Sequence, residues 1–374
     1  MTSRILHVST VHRADDPRIY ERECRSLARV REYEVMLAAP GTIPRNSRVA
    51  HLRLKRGFGG RIRRGGRSLW TSLSLAGSLE PDLWHFHDPE LLPTAIVLAR
   101  RGRRVLWDAH EDYHEQFSDP AGKAWIPDPF RGLARAPLVR LLEEADRTVS
   151  GVVAATPSIA ARYSNARVAV VGNEAVLGDF VAAKPTFESR QVLFTGWGTP
   201  AHLFEEVVSA IAGIDGVTLA VAGRPAESNL WRKALVKLGD RLVYLGWLSR
   251  PGLVKAISES ALGLVTYSRR RAYMDSSVSP TKLFEFAAAG LPVAASPIPA
   301  SVQAIKAGGF GVVASDFGVE SLQAAITLAL EDRSEWESMS ASARAWSIKE
   351  GGWNSSADRL LKLYEAVLES GPSH

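Results

Sequence analysis

The sequence predicts an α/β protein of two domains, each a parallel sheet with helices on both faces, and three observations carry that expectation. Short apolar runs alternate with helical stretches along nearly the whole chain, as βα units in a covered parallel sheet do. The alternation stops once, in the mixed polar stretch 173–190 around Pro185, and then restarts. The chain has 374 residues, 46% of them hydrophobic, enough to bury two cores.

The elements follow in order. "RILHVST" reads as the first strand, "VHRADDPRIYER" as a polar loop, residues 21–31 as helical and "YEVMLAA" as the next strand. "DLWHFH", the apolar segment 91–99, "RVLWDA", a long helical region near 130–147, "GVVAAT", a helical turn and "RVAVVG" complete the first half. After the pause, "QVLFTG", "VTLAVAG", "RLVYLGWL", "LGLVTY", "LPVAAS" and "GGFGVVA" supply strands. Helical periods fall at 200–213, 228–238, 251–260, 281–289 and 319–331. A last helix, "WNSSADRLLKLYEAVLES", follows Gly351-Gly352 and suits packing on either domain. The expected domains are 1–180 and 181–350, with a tail at 351–374.

Composition excludes several classes. The single Cys24 permits no internal disulfide, and no charged-then-apolar leader opens the sequence, so a reducing cytoplasm is expected. No stretch approaches the roughly 18 to 20 apolar residues of a membrane span, which leaves peripheral contact as the expected mode. The net charge of +6 belongs to the first half: residues 1–180 hold 27 Lys and Arg against 21 Asp and Glu, and the remainder is balanced. Within it, "RLKRGFGGRIRRGGRSLW" (53–70) carries Arg53, Lys55, Arg56, Arg61, Arg63, Arg64 and Arg67 with no acid between them. That is an attractor for a phosphorylated substrate, an anionic lipid surface or nucleic acid, or else a solvated, glycine-loosened loop. Nucleic acid is disfavoured, because +6 is modest and aromatic residues do not interleave with the arginines.

Three motifs compete for the chemistry. "HEDYH" (110–114) matches the zinc pattern H-E-x-x-H, which requires a helix, yet it directly follows a strand. "HFHDPE" nearby adds His85, His87 and Asp88. "TGWGTPA" (195–201) spaces Gly196, Gly198 and Ala201 as a weak dinucleotide fingerprint. The second strand of this half ends in Gly223 and Arg224 instead of an acid, so the loop reads as backbone able to approach a phosphate, with Thr199 as helix cap, or as a plain tight turn. In "SPTKLFEFAAAGLPVAAS" (279–296), Pro280 opens a helix capped by Ser279 or Thr281, and Lys282 and Glu285 share its first turn. A cation there opposes the helix dipole. A bound phosphate would resolve the conflict, leaving Glu285 to accept hydrogen bonds from a polyol such as ribose; the alternative is a simple i, i+3 ion pair.

These residues resemble the nucleotide-sugar glycosyltransferases of family 4 (group 1), bacterial polysaccharide or secondary-metabolite type. The likeness runs along nearly the whole chain, through "VHRADDPRIYERECRSLARVREYEVMLAAP", "PDLWHFHDPELLPTAIVLARRGRRVLWDAHE", "AVVGNEA" and the 279–296 block. It implies two facing Rossmann-like domains (the GT-B architecture) and a last helix returning to the first domain. It also implies His110 at the donor sugar, Glu285 at the ribose, Lys282 at the diphosphate and the Gly196 to Thr199 loop beside it. Two positions depart from the family: Ser277 stands where many members have a second glutamate, and no Arg and Lys follow "QVLFTG". Lys282 is then the main cation for the diphosphate, supported by Arg224 or one of residues 269–271.

The implied activity is hexosyl transfer from a nucleoside diphosphate sugar to an acceptor hydroxyl, retaining and metal-independent, with no cofactor. Asp15 or Asp16 is expected at the acceptor or as base. Arg61, Arg63 and Arg64 are expected at a phosphorylated or lipid-linked acceptor or at the inner membrane face. A nucleotide-sugar epimerase of the same architecture and, further off, a zinc hydrolase using "HEDYH" are the competing readings.

Overall fold

Seven parallel strands form the first sheet: β1 (Ser3–Val8), β2 (Tyr33–Pro40), β3 (Ala50–Leu54), β4 (Leu83–Phe86), β5 (Val105–Ala109), β6 (Gly151–Ala154) and β7 (Val168–Val170). They lie in the order β3-β2-β1-β4-β5-β6-β7. Six more form the second: β8 (Gln191–Trp197), β9 (Thr218–Arg224), β10 (Leu242–Gly246), β11 (Leu262–Val265), β12 (Val293–Ala295) and β13 (Gly311–Val313), ordered β10-β9-β8-β11-β12-β13. Both follow the Rossmann order, in which the chain builds outward from its first strand and then crosses to the other side. The central strands β4, β5, β6, β11 and β12 are buried throughout, which is why they read as unbroken apolar runs. The order reverses between β1 and β4 and between β8 and β11, and ligands of open α/β sheets bind beyond the carboxyl ends at such points.

The computed structural model describes residues 2–55, 61–113, 128–274 and 280–370. Its chain divides into Met1–Gly172 with Asn354–His374 (unit 1) and Asn173–Trp353 (unit 2). The break precedes the expected boundary near 180, because Ala175, Phe180 and Ala183 are buried in the core of unit 2. The last helix, Asn354–Glu369, belongs to unit 1, where Leu360, Leu363, Tyr364 and Val367 are buried.

Several elements have no counterpart in the sequence reading. The basic stretch read as a loop is instead β3 followed by the helix Arg61–Ser78. Gly65 and Gly66 did suggest a break, but both face open space and the helix runs through them. Pro299–Gly308 and Arg333–Lys349 are also helices. The helix expected at 21–31 begins as a wide π-helical turn, Ile19–Cys24, in which the Glu21 N–H reaches five residues back to the Asp16 carbonyl.

Candidate functional site

At the reversal point of unit 2, the helix Thr281–Ala289 begins with Lys282 as its second residue and ends on Gly290, left-handed at φ 73°, before Pro292. Pro280 is the cap and no side chain caps the helix; Thr281 is already helical, so it does not fill the capping role expected of it. Ser279 lies outside the described residues. The Lys282 side chain is buried against aromatic faces, its Nζ 5.1 Å from the centroid of Phe194 on β8 and 5.0 Å from that of Tyr267 after β11. A Cβ on Gly196 would stand 3.6 Å from Nζ. Among the described residues Nζ has no hydrogen-bond partner. Burial lowers the ammonium pKa to about 7, with Glu285 opposing. A buried cation without a partner is costly, and a ligand anion would relieve that cost.

Lys282 and Glu285 do not pair with each other. Glu285 Oε1 instead accepts from Arg250 Nη1 at 2.7 Å, and Arg250 also lies 3.6 Å from Asp179 and over the Phe180 ring. Glycines shape the other wall. Gly196 (φ 122°) and Gly223 (φ 129°) face each other across β8 and β9, where a Cβ on Gly223 would collide with the Gly196 carbonyl oxygen. A Cβ on Gly198 would come within 2.9 Å of Ala226. Thr199 does not cap the following turn with its side chain as expected; its hydroxyl bonds His202 Nδ1 at 2.9 Å. Burial, Lys282 and Arg270 together push the His202 pKa down to about 4, so it is neutral there. Leu203 then takes a left-handed conformation, φ 54°, strain of the kind that collects at working sites. Arg224 is exposed, 5.8 Å over the Trp197 ring.

In unit 1 the reversal point is organised by Asp88, just past β4. Its buried carboxylate accepts from the Thr10 and Val11 N–H groups at 2.5 and 3.1 Å, from the Ser9 hydroxyl, and from His12 Nδ1 at 2.8 Å. Burial alone would lower the His12 pKa, but Asp88 prevails and lifts it to about 9. His110 stacks edge-on against His12 at 4.9 Å and is hydrogen-bonded to the Tyr113 hydroxyl at 3.1 Å. Asp108 lies behind His110. Burial pushes it up, but bidentate Arg18 and the histidines around it hold it well below the carboxylate range.

A chain of buried hydrogen bonds runs inward from Asp108. His87 Nδ1 donates to it at 2.9 Å, His87 Nε2 meets His7 Nδ1 at 2.9 Å, and the Tyr364 hydroxyl bridges His7 at 3.2 Å and His85 at 2.6 Å. His7, Glu23, His85 and His87 bring potential metal-ligating atoms within 4.8 Å of one another. Five of the six ring nitrogens meet one another, Asp108 or Tyr364, while His85 Nε2 and both Glu23 oxygens have no hydrogen-bond partner among the described residues. "HEDYH" gains no helix: residues 110–113 form a bend after β5, and His114 lies outside the described residues.

Sequence-family comparison matches residues 17–173 to the model described as Glycosyltransferase Family 4 and residues 198–332 to that described as Glycosyl transferases group 1, together most of the chain. The chain is a glycosyltransferase with the GT-B fold. Among curated proteins nothing matches significantly. Solved structures similar in fold include a sucrose-phosphate synthase from Thermosynechococcus elongatus (TM-score 0.74, 15% identity, 97% of this chain and 98% of that one). HepE of Anabaena in complex with UDP and glucose is similar at TM-score 0.71 and 12% identity, covering 97% and 100%. A glycosyltransferase from Rickettsia africae is similar at 0.63 and 12%, covering 99% and 100%.

In this glycosyltransferase, Lys282 and Gly196 meet at one point, with Gly198 and Thr199 continuing the same loop and Glu285 on the next turn of the helix. Arg224 stays apart on the exposed end of β9. Asp16 is occupied: its Oδ1 accepts from the Arg18 and Ile19 N–H groups at 2.8 and 3.0 Å, and Asp15 pairs with Arg13. Arg61, Arg63 and Arg64 fall in the first turn of the helix Arg61–Ser78, their side chains outside the described set. The structure also brings to these points residues that no motif announced. Phe194, Tyr267, His202 and Arg250 come from four separate elements around Lys282 and Glu285, and His12 comes from the loop after β1. Only His12 left a signal, as a titratable residue four positions beyond a strand end.

Proposed function

We propose that the enzyme transfers a hexose from a nucleoside diphosphate sugar held by unit 2 to an acceptor hydroxyl held by unit 1, without a metal ion and with retention at the anomeric carbon. One observation carries this reading: the Lys282 ammonium, buried on aromatic faces at the reversal point and without a partner among the described residues. A diphosphate there would accept hydrogen bonds from Nζ and from the uncapped N–H groups opening the helix Thr281–Ala289. Gly196, Gly198 and Thr199 would let the backbone approach it, and Glu285, held by Arg250, would take the ribose hydroxyls.

In the reaction, the acceptor oxygen bonds the anomeric carbon on the face that the diphosphate leaves, the bond from that carbon to the diphosphate breaks with its electron pair going to the phosphate, and the hydroxyl proton passes to that departing phosphate oxygen. Lys282 stabilises that departing charge in a site from which water is largely excluded. His110 contributes at the sugar. HepE is known with UDP-glucose, so UDP-sugars are the first donors to try. The acceptor would carry phosphate or a lipid, as in polysaccharide or glycoconjugate assembly on the cytoplasmic side of a membrane.

Thermal shift against UDP, GDP, ADP and dTDP tests the donor assignment, since a ligand at a hundredfold excess over Kd stabilises by about 2.7 kcal/mol. One base should raise Tm, and Lys282→Ala should abolish the rise. An undiminished rise in that variant overturns the phosphate role. For His110→Ala, binding should persist while transfer falls by roughly two orders of magnitude. Sugar conversion without any acceptor would instead indicate an epimerase.

A further inference from the structure

The core of unit 1 holds three histidines and a glutamate that the transfer reaction does not use. His7 lies on β1, His85 on β4, His87 one residue past it and Glu23 in the π-helical turn Ile19–Cys24; all four are closed to solvent. Each imidazole spends one nitrogen outside the set, His87 Nδ1 on Asp108, His7 Nε2 and His85 Nδ1 on the Tyr364 hydroxyl. The second nitrogens meet no oxygen: His7 Nδ1 faces His87 Nε2 at 2.9 Å, and His85 Nε2 has no partner among the described residues. An oxygen partner on one nitrogen, with the other kept free of oxygen, is how metal-binding histidines are held.

Hydrogen bonds alone leave this cluster unsatisfied. Burial above all keeps the three imidazoles below their ordinary pKa, hence neutral, with one ring proton each. The His87 proton sits on Nδ1, facing Asp108, so its Nε2 is bare. The Tyr364 hydroxyl has one proton for two imidazoles. If it donates to His85, His7 returns its own proton to the hydroxyl oxygen, and two bare lone pairs face each other across 2.9 Å. If it donates to His7, His85 gives its proton to the hydroxyl oxygen, and its Nε2 is left bare. Either way a buried lone pair lacks a donor. Glu23 adds two oxygens that accept no hydrogen bond, Oε1 3.2 Å from Arg18 Nε and Oε2 3.8 Å from His85 Nδ1. A bound cation would satisfy both the lone pair and the carboxylate.

The donor set selects the cation. Neutral imidazoles with one carboxylate suit zinc in tetrahedral geometry. Donors on such an ion lie about 3.3 Å apart, so the 2.9 Å pair would open slightly and the widest separations, up to 4.8 Å, would close by about 1.5 Å through side-chain rotation. Four protein ligands leave no open position, so the ion would be structural, and the transfer proposed at Lys282 stays metal-free. The site is distinct from "HEDYH", whose His110 is not among its ligands.

We propose that His7, Glu23, His85 and His87 hold a structural zinc ion in the core of unit 1, with Tyr364 and Asp108 orienting the imidazoles. The full chain, produced without a histidine tag in zinc-supplemented medium and gel-filtered, should carry about one zinc per molecule by elemental analysis. Produced with cobalt instead, it should show the visible absorption of a tetrahedral ion. Glu23→Gln and His85→Gln should each lower the zinc content at least tenfold, and Tyr364→Phe should weaken zinc affinity by about 10- to 100-fold. His110→Ala should keep the full content. A parent chain without zinc overturns the proposal whatever the variants do. Zinc retained by both Glu23→Gln and His85→Gln, or lost from His110→Ala alone, places the ion elsewhere and overturns it equally. Where those two variants fail to fold, the milder Tyr364→Phe decides, and unchanged zinc affinity in it counts against the site.

Discussion

Arg250 Nη1 donates to Glu285 Oε1 at 2.7 Å, joining the start of the helix Arg250–Ser258 to the first turns of the helix Thr281–Ala289. Both side chains are nearly closed to solvent, at 15% and 11% exposed, so the pair is screened far less than a surface ion pair. Arg250→Ala should therefore destabilise the fold by about 1–3 kcal/mol in urea unfolding, because it removes a charged hydrogen bond to a largely buried carboxylate. Nucleotide affinity should fall with it, since Glu285 would lose its orientation. Adding Glu285→Gln should restore part of the stability but none of the affinity. Full additivity of the two stability losses would show that the residues do not act together.

Lys282 should make donor binding depend on pH. With the ammonium pKa lowered to about 7 by burial, the ligand-free site is increasingly uncharged above neutrality, whereas a bound diphosphate requires the charge. Affinity for a nucleoside diphosphate sugar, whose phosphates do not titrate near pH 7, should be flat below pH 7 and decline above it. The ligand-free fold should do the opposite. A lysine depressed from 10.5 holds fewer protons folded than unfolded between pH 7 and 10.5, so stability should rise across that window. Calorimetric titration at pH 6, 7 and 9 checks the first expectation, and equal affinity at all three would contradict it.

His12 behaves with the opposite sign. Its pairing with Asp88 raises the imidazolium pKa from 6.5 to about 9, so the stabilisation is complete below pH 6.5 and is lost as the pH climbs through 9. Asp88→Asn should bring the His12 titration, followed by NMR, back toward the ordinary value. A His12 still titrating near 9 in that variant would place the source of the shift elsewhere, with Asp16 and Glu111 the next charges to examine.

Local signals explain what could be read without coordinates. The helix Thr281–Ala289 is marked by Pro280 before it and by Gly290 and Pro292 after it, and its misplaced cation shows in the sequence alone. Both sheets show because their central strands are buried on both faces. Arg250 could not be foreseen as the partner of Glu285: the two are 35 positions apart and meet only because β11 separates their helices in sequence. The helix Arg61–Ser78 was hidden for another reason. Ser68 and Ser72 are buried beside Leu75 while Trp70 and Leu73 are exposed, so the periodic apolar pattern is blurred, and paired glycines sit where a loop would place them. Asp16 is an acid in a promising loop whose Oδ1 accepts from the backbone N–H groups of Arg18 and Ile19, a local role that the sequence does not display.

The Tyr364 hydroxyl that bridges His7 and His85 comes from the helix Asn354–Glu369, beyond all of unit 2 in the chain. During synthesis, β1 and β4 emerge with their histidines long before that hydroxyl exists to join them. Unit 2, by contrast, is one continuous segment. The histidine cluster of unit 1 is thus closed by a residue made after the whole of unit 2, so its hydrogen-bonded seam cannot be completed until residues 354–369 have been synthesised.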